Sequence, residues 1–188
     1  MALELNGTTG VSLVQDGVVT SDNMFSGFAN GITVAQQFRL AADQAGSGSA
    51  GTVLTNWEEN DTDYQSLGSA WTQSSGVFSV TETGIYLCNW SLVVNGTTTD
   101  DGFDPAIEVS TNSGSSYADR SYGYAHVSSV AGTLRGTVAN TFIFHVSNAS
   151  IFRLRFKQSF SNALDTATTI AGNSNSNETQ ITFVRLGG

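Results

Sequence analysis

The sequence has one cysteine, one lysine and one proline in 188 residues. A lone cysteine, Cys88, cannot form an intramolecular disulfide, which excludes a disulfide-stapled secreted scaffold. In an apolar strand pattern such a residue acts as a small buried hydrophobe. The single lysine, Lys157, argues against nucleic acid as a partner, because phosphate binding needs clustered Lys and Arg. No apolar run approaches the ~20 residues of a membrane span, so no membrane partner is expected. Residues 1–10 contain neither a basic leader nor a long apolar segment, so no signal peptide is expected. With Pro105 the only proline, strands are seldom interrupted.

Charge is also scarce, at 12% of residues, and unbalanced, with a net of −9. Residues 1–119 hold 14 acids against the single base Arg39, while residues 120–188 hold six bases against two acids. In one folded domain the two halves interleave, so the asymmetry hints at complementary surfaces between copies.

What the chain has in quantity is Gly, Ser, Thr and Asn, with short apolar runs between them. Helix signals are few. This is the composition of an all-β domain with many turns. The length suits one domain with a short arm and a core that buries roughly two-thirds of the unfolded surface.

Residues 1–30 contain Asn6-Gly7 and Asp16-Gly17, both tight-turn dipeptides, around thin apolar pieces. They read as small hairpins that form a docking arm. Residues 31–45 alternate in the manner of a strand, and 46–51 form a loop. Strands are expected at 52–57, 77–80, 85–94, 106–111, 121–129, 140–146, 151–160 and 179–186. Such spacing indicates a sandwich, jelly roll or barrel. In "FSVTETGIYLCNW", residues 78–90, Thr83-Gly84 reads as the turn of a β-hairpin, with Tyr86, Cys88 and Trp90 on one face.

In "IFRLRFK" the alternation places Phe152, Leu154 and Phe156 toward a core and Arg153, Arg155 and Lys157 outward. Such a row is either a solvated face or a partner for an acidic loop on another copy. The acidic candidate is "WEENDTD", with Glu58, Glu59, Asp61 and Asp63.

Signals for chemistry are weak. Gly46, Gly48 and Gly51 spell G-x-G-x-x-G, but a strand pattern follows where a dinucleotide site needs a helix. His126 and His145 fall in different strands and lack zinc-ligand spacing. There is no G-x-S-x-G nucleophile elbow. No enzymatic activity is expected. The loop at 95–104 offers Asp100, Asp101 and Asp104 as a candidate calcium site, with a solvated turn as the alternative. No other cofactor is expected. Six Asn-x-Ser/Thr triplets occur, as chance allows in a chain this rich in those residues.

The stretch around residue 84 resembles the signature of the globular complement component 1q domain, within the tumour necrosis factor-like jelly-roll superfamily. That signature runs aromatic, six residues, Phe, five residues, Gly-x-Tyr-x-aromatic-x-aromatic. Here it is Trp71, Phe78, then Gly84, Tyr86, Cys88 and Trp90, with Cys88 in place of an aromatic. Ser66 stands where the signature prefers Asn or Asp, and the usual Gly-Asp turn is "SNAS" at 147–150. The similarity covers roughly residues 32–188. There is no collagen repeat. The resemblance implies a ten-stranded jelly-roll sandwich at 31–188 that forms a homotrimer around an apolar axis, with these six residues as its core and trimer signature.

The hairpin leader, the scarcity of lysine and the absence of an expected export signal also look like a tailed-bacteriophage virion protein. This likeness implies a structural protein assembled in the bacterial cytoplasm. Its partners would be itself and the major capsid protein or other virion proteins. The expected role is a capsid decoration, or cement, protein. The alternative is a fibre tip recognising a host surface glycan or protein.

Overall fold

The computed structural model describes residues 31–45, 52–61, 64–96, 101–127, 134–158 and 168–188. The chain divides into two units, Met1–Gly31 and Ile32–Gly188. The docking arm expected at 1–30 and the glycine-rich loop at 46–51 lie outside the described residues.

Among the described residues the regular elements are all strands: β1 (Ala35–Leu40), β2 (Ala42–Ala45), β3 (Thr52–Val53), β4 (Trp57–Glu59), β5 (Trp71–Ser74), β6 (Val77–Val80), β7 (Gly84–Gly96), β8 (Asp101–Phe103), β9 (Ala106–Ser110), β10 (Ala118–Tyr122), β11 (Ala125–Val127), β12 (Leu134–Val146), β13 (Arg153–Gln158), β14 (Thr169–Asn173) and β15 (Gln180–Gly187). The sandwich expected from the sequence is present, cut into fifteen segments rather than ten. Breaks such as Ala41, between β1 and β2, let one run pair with different neighbours at its two ends.

All the described ladders are antiparallel. A seven-stranded sheet is built around β7. Along one edge β7 pairs with β12 over its full length, Gly84 to Gly96. Along the other it pairs with β15, then with β14. Strand β1 lies between β15 and β4, and β2 flanks β14. The six-stranded sheet centres on β13, with β9 and then β10 on one side and β6, β3 and β5 on the other. A small ribbon joins β8 and β11.

Period-two alternation explains why β7 belongs at the centre. Tyr86, Cys88, Trp90, Leu92 and Val94 all point inward and are buried, while Ile85, Leu87, Asn89 and Ser91 face the other way. From the facing sheet, Leu154 and Phe156 of β13 and Phe78 of β6 complete the core. Trp71 stacks on Phe183 with ring centroids 4.0 Å apart and meets Tyr86 edge-on at 5.3 Å. Phe144 stacks on Phe152 at 5.3 Å, joining the two sheets. Each such buried aromatic contributes roughly 1.5–3 kcal/mol through the area it removes from water.

The expected hairpin at Thr83-Gly84 does not form. Strand β6 lies in the six-stranded sheet and β7 in the seven-stranded one, so residues 81–83 cross between layers. The true hairpin joins β5 to β6. Its two loop residues, Ser75 and Gly76, both have positive φ (50° and 81°), the requirement of the tight turn that matches strand twist. Gly84 has a different task. Its φ is 142°, and a Cβ there would sit 2.4 Å from the carbonyl oxygen of Gly187. The glycine lets β7 start against the end of β15. Gly84→Ala is expected to cost at least about 2 kcal/mol, read as a lower urea midpoint.

Candidate functional site

The outward face of the seven-stranded sheet carries the most informative surface. Register places Ile143 of β12 opposite Leu87 of β7, and Leu87 opposite Val184 of β15. Val184 lies opposite Ala35 of β1, and Ala35 bridges to Leu67. Five apolar residues thus form one straight row across the sheet, roughly 19 Å long at ordinary strand spacing. Ile143 is 62% exposed and Leu67 49%. Ile85 and Leu186, also exposed, extend the apolar surface toward the end of the sheet. In the other direction the next row is Thr141, Asn89, Thr182 and Gln37, and the one after is Ala139, Ser91, Gln180 and Arg39. The face therefore changes from apolar to polar within two rows.

At the polar end Arg39 is 2% exposed. Its Nε donates to Glu58 Oε1 and its Nη2 to Asp61 Oδ1, both at 2.7 Å. Glu59 Oε1 accepts from Gln36 Nε2 at 3.2 Å, and Asp63 lies outside the described residues. On the other sheet, Arg155 pairs with Glu108 and sits 3.9 Å over the Tyr117 ring. Lys157 Nζ donates to Asp119 Oδ1 at 2.8 Å. Burial pulls the Lys157 ammonium down, but the Asp119 hydrogen bond and the Glu108 and Asp119 charges outweigh it and leave it raised. Arg153 donates to the Phe152 carbonyl at 2.7 Å.

The acids and cations expected to pair between copies thus sit on opposite sheets. Arg155 and Lys157 pair with Glu108 and Asp119, and Glu58 and Asp61 pair with Arg39, all within one chain. The cause is register, since β9 lies against β13 and sets Glu108 beside Arg155.

The signature residues Trp71, Phe78, Tyr86, Cys88 and Trp90 all lie in the core. The Tyr86 hydroxyl donates to the Glu82 carbonyl at 3.0 Å, and Trp90 Nε1 donates to Ser121 Oγ at 3.2 Å. Burial pushes the Cys88 thiol well above its usual range. Cys88 is therefore expected to resist an aromatic disulfide reagent in the native protein and to react once per chain in denaturant. Rapid native labelling would contradict its placement.

Of the calcium candidates, Asp101 opens β8 opposite Val127, Asp104 is exposed just beyond it, and Asp100 lies outside the described residues. Among the described residues no three His, Cys, Asp or Glu side chains gather as a metal site. Sequence reading missed Gln36, which faces the core. Its Oε1 accepts from the Trp71 backbone N–H at 2.7 Å, and its Nε2 donates to the Trp71 carbonyl at 3.2 Å. It also missed a polar pocket beside Arg39, lined by Gln37, Asn60, Tyr64 and Asn177 among others.

No family model matches the chain, and no curated protein matches it. Solved structures do. The crystal structure of murine APRIL at pH 5.0 is similar with a TM-score of 0.56 at 14% identity, covering 81% of this chain and 98% of that one. The structures of murine APRIL at pH 8.0 and pH 8.5 give TM-scores of 0.53 and 0.52 at 15% and 16% identity. At this identity the likeness is one of fold.

Proposed function

We propose that this tumour necrosis factor-like jelly roll is a non-enzymatic structural protein of a tailed-phage virion, a homotrimer that decorates and cements the head. The observation that carries the assembly is the row Ile143, Leu87, Val184, Ala35 and Leu67. A contiguous apolar strip on an otherwise polar sheet face is a surface that calls for a partner. In a homotrimer each copy covers part of the next copy's strip, and the three strips converge on an apolar axis. The virion role is supported by the sequence character described above. Residues 1–30 are the docking arm, and the major capsid protein is the partner they engage. A trimer that bridges neighbouring capsid subunits adds buried area where they meet and resists internal pressure.

The test adds the full chain, and a chain lacking residues 1–30, to undecorated phage heads and measures cosedimentation. Full-chain binding that the deletion abolishes is expected. Equal binding by the truncated chain would overturn the docking arm, and no binding by either would overturn the cement role.

One observation favours the second reading, a receptor-binding tip. Tyr122 and Tyr124 are both exposed at the turn between β10 and β11, close to Asp104 across the β8–β11 ribbon. Exposed aromatics beside an acid suit a host surface glycan or protein. Binding of the isolated protein to host cells would favour that reading.

A further inference from the structure

The pocket at the polar end of the sheet face holds an arrangement that the structural role does not use. Its cavity volume is about 160 Å³. A cavity of about 150 Å³ holds one six-membered ring. Gln37 is its hub. Gln37 Oε1 accepts from Asn60 Nδ2 at 2.8 Å and from Asn177 Nδ2 at 2.7 Å, while Gln37 Nε2 donates to Thr182 Oγ1 at 2.8 Å. Asn60 Nδ2 also donates to Asn177 Oδ1 at 2.8 Å. These bonds fix the amides and their orientation.

One atom is left over. Asn60 is 8% exposed, and its Oδ1 is buried without a hydrogen-bond partner. A buried acceptor is expensive to leave unmade, so its place in the pocket wall points to a donor supplied from outside.

The lining also decides the kind of donor. Arg39 is held by Glu58 and Asp61, two acids on one base, which disfavours an anion. A metal ion would want several carboxylates, and the described residues offer no such group. What remains is a set of amides and hydroxyls from Asn60, Asn177, Tyr64 and Ser176 that both donate and accept. The matching ligand is neutral, compact and rich in hydroxyls.

We propose that this pocket binds one hexose-sized sugar ring, with a ligand hydroxyl donating to Asn60 Oδ1. The site lies two residues along β1 from Ala35, on the same face as the apolar row. It is independent of the cementing role, which stands or falls with assembly and head binding.

The test is calorimetric titration of the full chain with glucose, galactose, mannose, N-acetylglucosamine and their methyl glycosides. Binding of at least one ring at roughly millimolar Kd is expected for so small a ligand. Asn177→Ala, in an exposed turn, is expected to weaken it at least tenfold, and Asn60→Ala to abolish it. If Asn60→Ala fails to fold, the Asn177 variant alone decides. Methyl glycosides that bind as well as the free sugar identify a chain-end unit, whereas binding of the free sugar alone identifies a soluble one. No heat with any sugar up to its solubility limit, undiminished binding by Asn177→Ala, or preference for methylammonium would overturn the proposal.

Discussion

Replacing Trp71 with alanine is expected to lower the stability of the fold by about 3–5 kcal/mol, the range for deleting a large core aromatic. Trp71 touches more of the core than its position at the start of a short strand suggests. It stacks on Phe183 and meets Tyr86, Phe144 and Phe152 edge-on. Those partners belong to both sheets, so the cavity would open at their junction and could not collapse by moving one strand. The backbone of Trp71 is held by Gln36, which fixes the strand after the side chain is gone. The variant should therefore retain its fold with a lower urea midpoint and an unchanged slope. Trp71→Phe provides the control. The indole Nε1 is buried without a partner, and phenylalanine removes that unpaired donor together with part of the ring. Its cost is expected to be less than half that of alanine. Equal losses for the two variants would mean that stacking on Phe183 is not the source of the effect.

Ile143→Lys combined with Ile85→Lys is expected to turn a trimer into a monomer without unfolding it. Both side chains are already exposed, at 62% and 45%, so lysine on these strands costs the isolated subunit little. In the assembly the same change places charges on the apolar strip of every copy. Each substitution is expected to cost at least about 2 kcal/mol per interface, the scale of an interface hot spot. At micromolar concentration that is enough to release the subunits. Sedimentation equilibrium reads the outcome, and an unchanged urea midpoint for the monomer shows that the fold survived. A double variant that sediments as the parent does would move the contact to another surface.

The parts of the fold that could be read from the sequence are those where period-two alternation is strong. In β13, Phe152, Leu154 and Phe156 turn inward and Arg153, Arg155 and Lys157 outward, as the pattern requires. The same holds for Tyr86, Cys88 and Trp90 of β7. Strands β5, β8 and β14 were not legible, because "WTQS", "DGF" and "TIAGN" are too short or too polar to alternate. The connection at Thr83-Gly84 misled for a different reason. A glycine turn looks the same locally whether the chain reverses within a sheet or crosses to the other, and only non-local pairing decides. The ion pairs and the pocket are non-local too. Asn177 reaches Gln37 from 140 residues away, and Glu108 reaches Arg155 only because β9 and β13 are neighbours. No spacing rule along the chain reports such contacts.

The most direct test of the central claim is the solution mass of the unmodified full chain, measured by light scattering with and without a calcium chelator. The account predicts a particle of three times 19.8 kDa whose mass does not change on chelation. A monomer at every concentration would contradict it, because the apolar row would then face water with no copy to cover it.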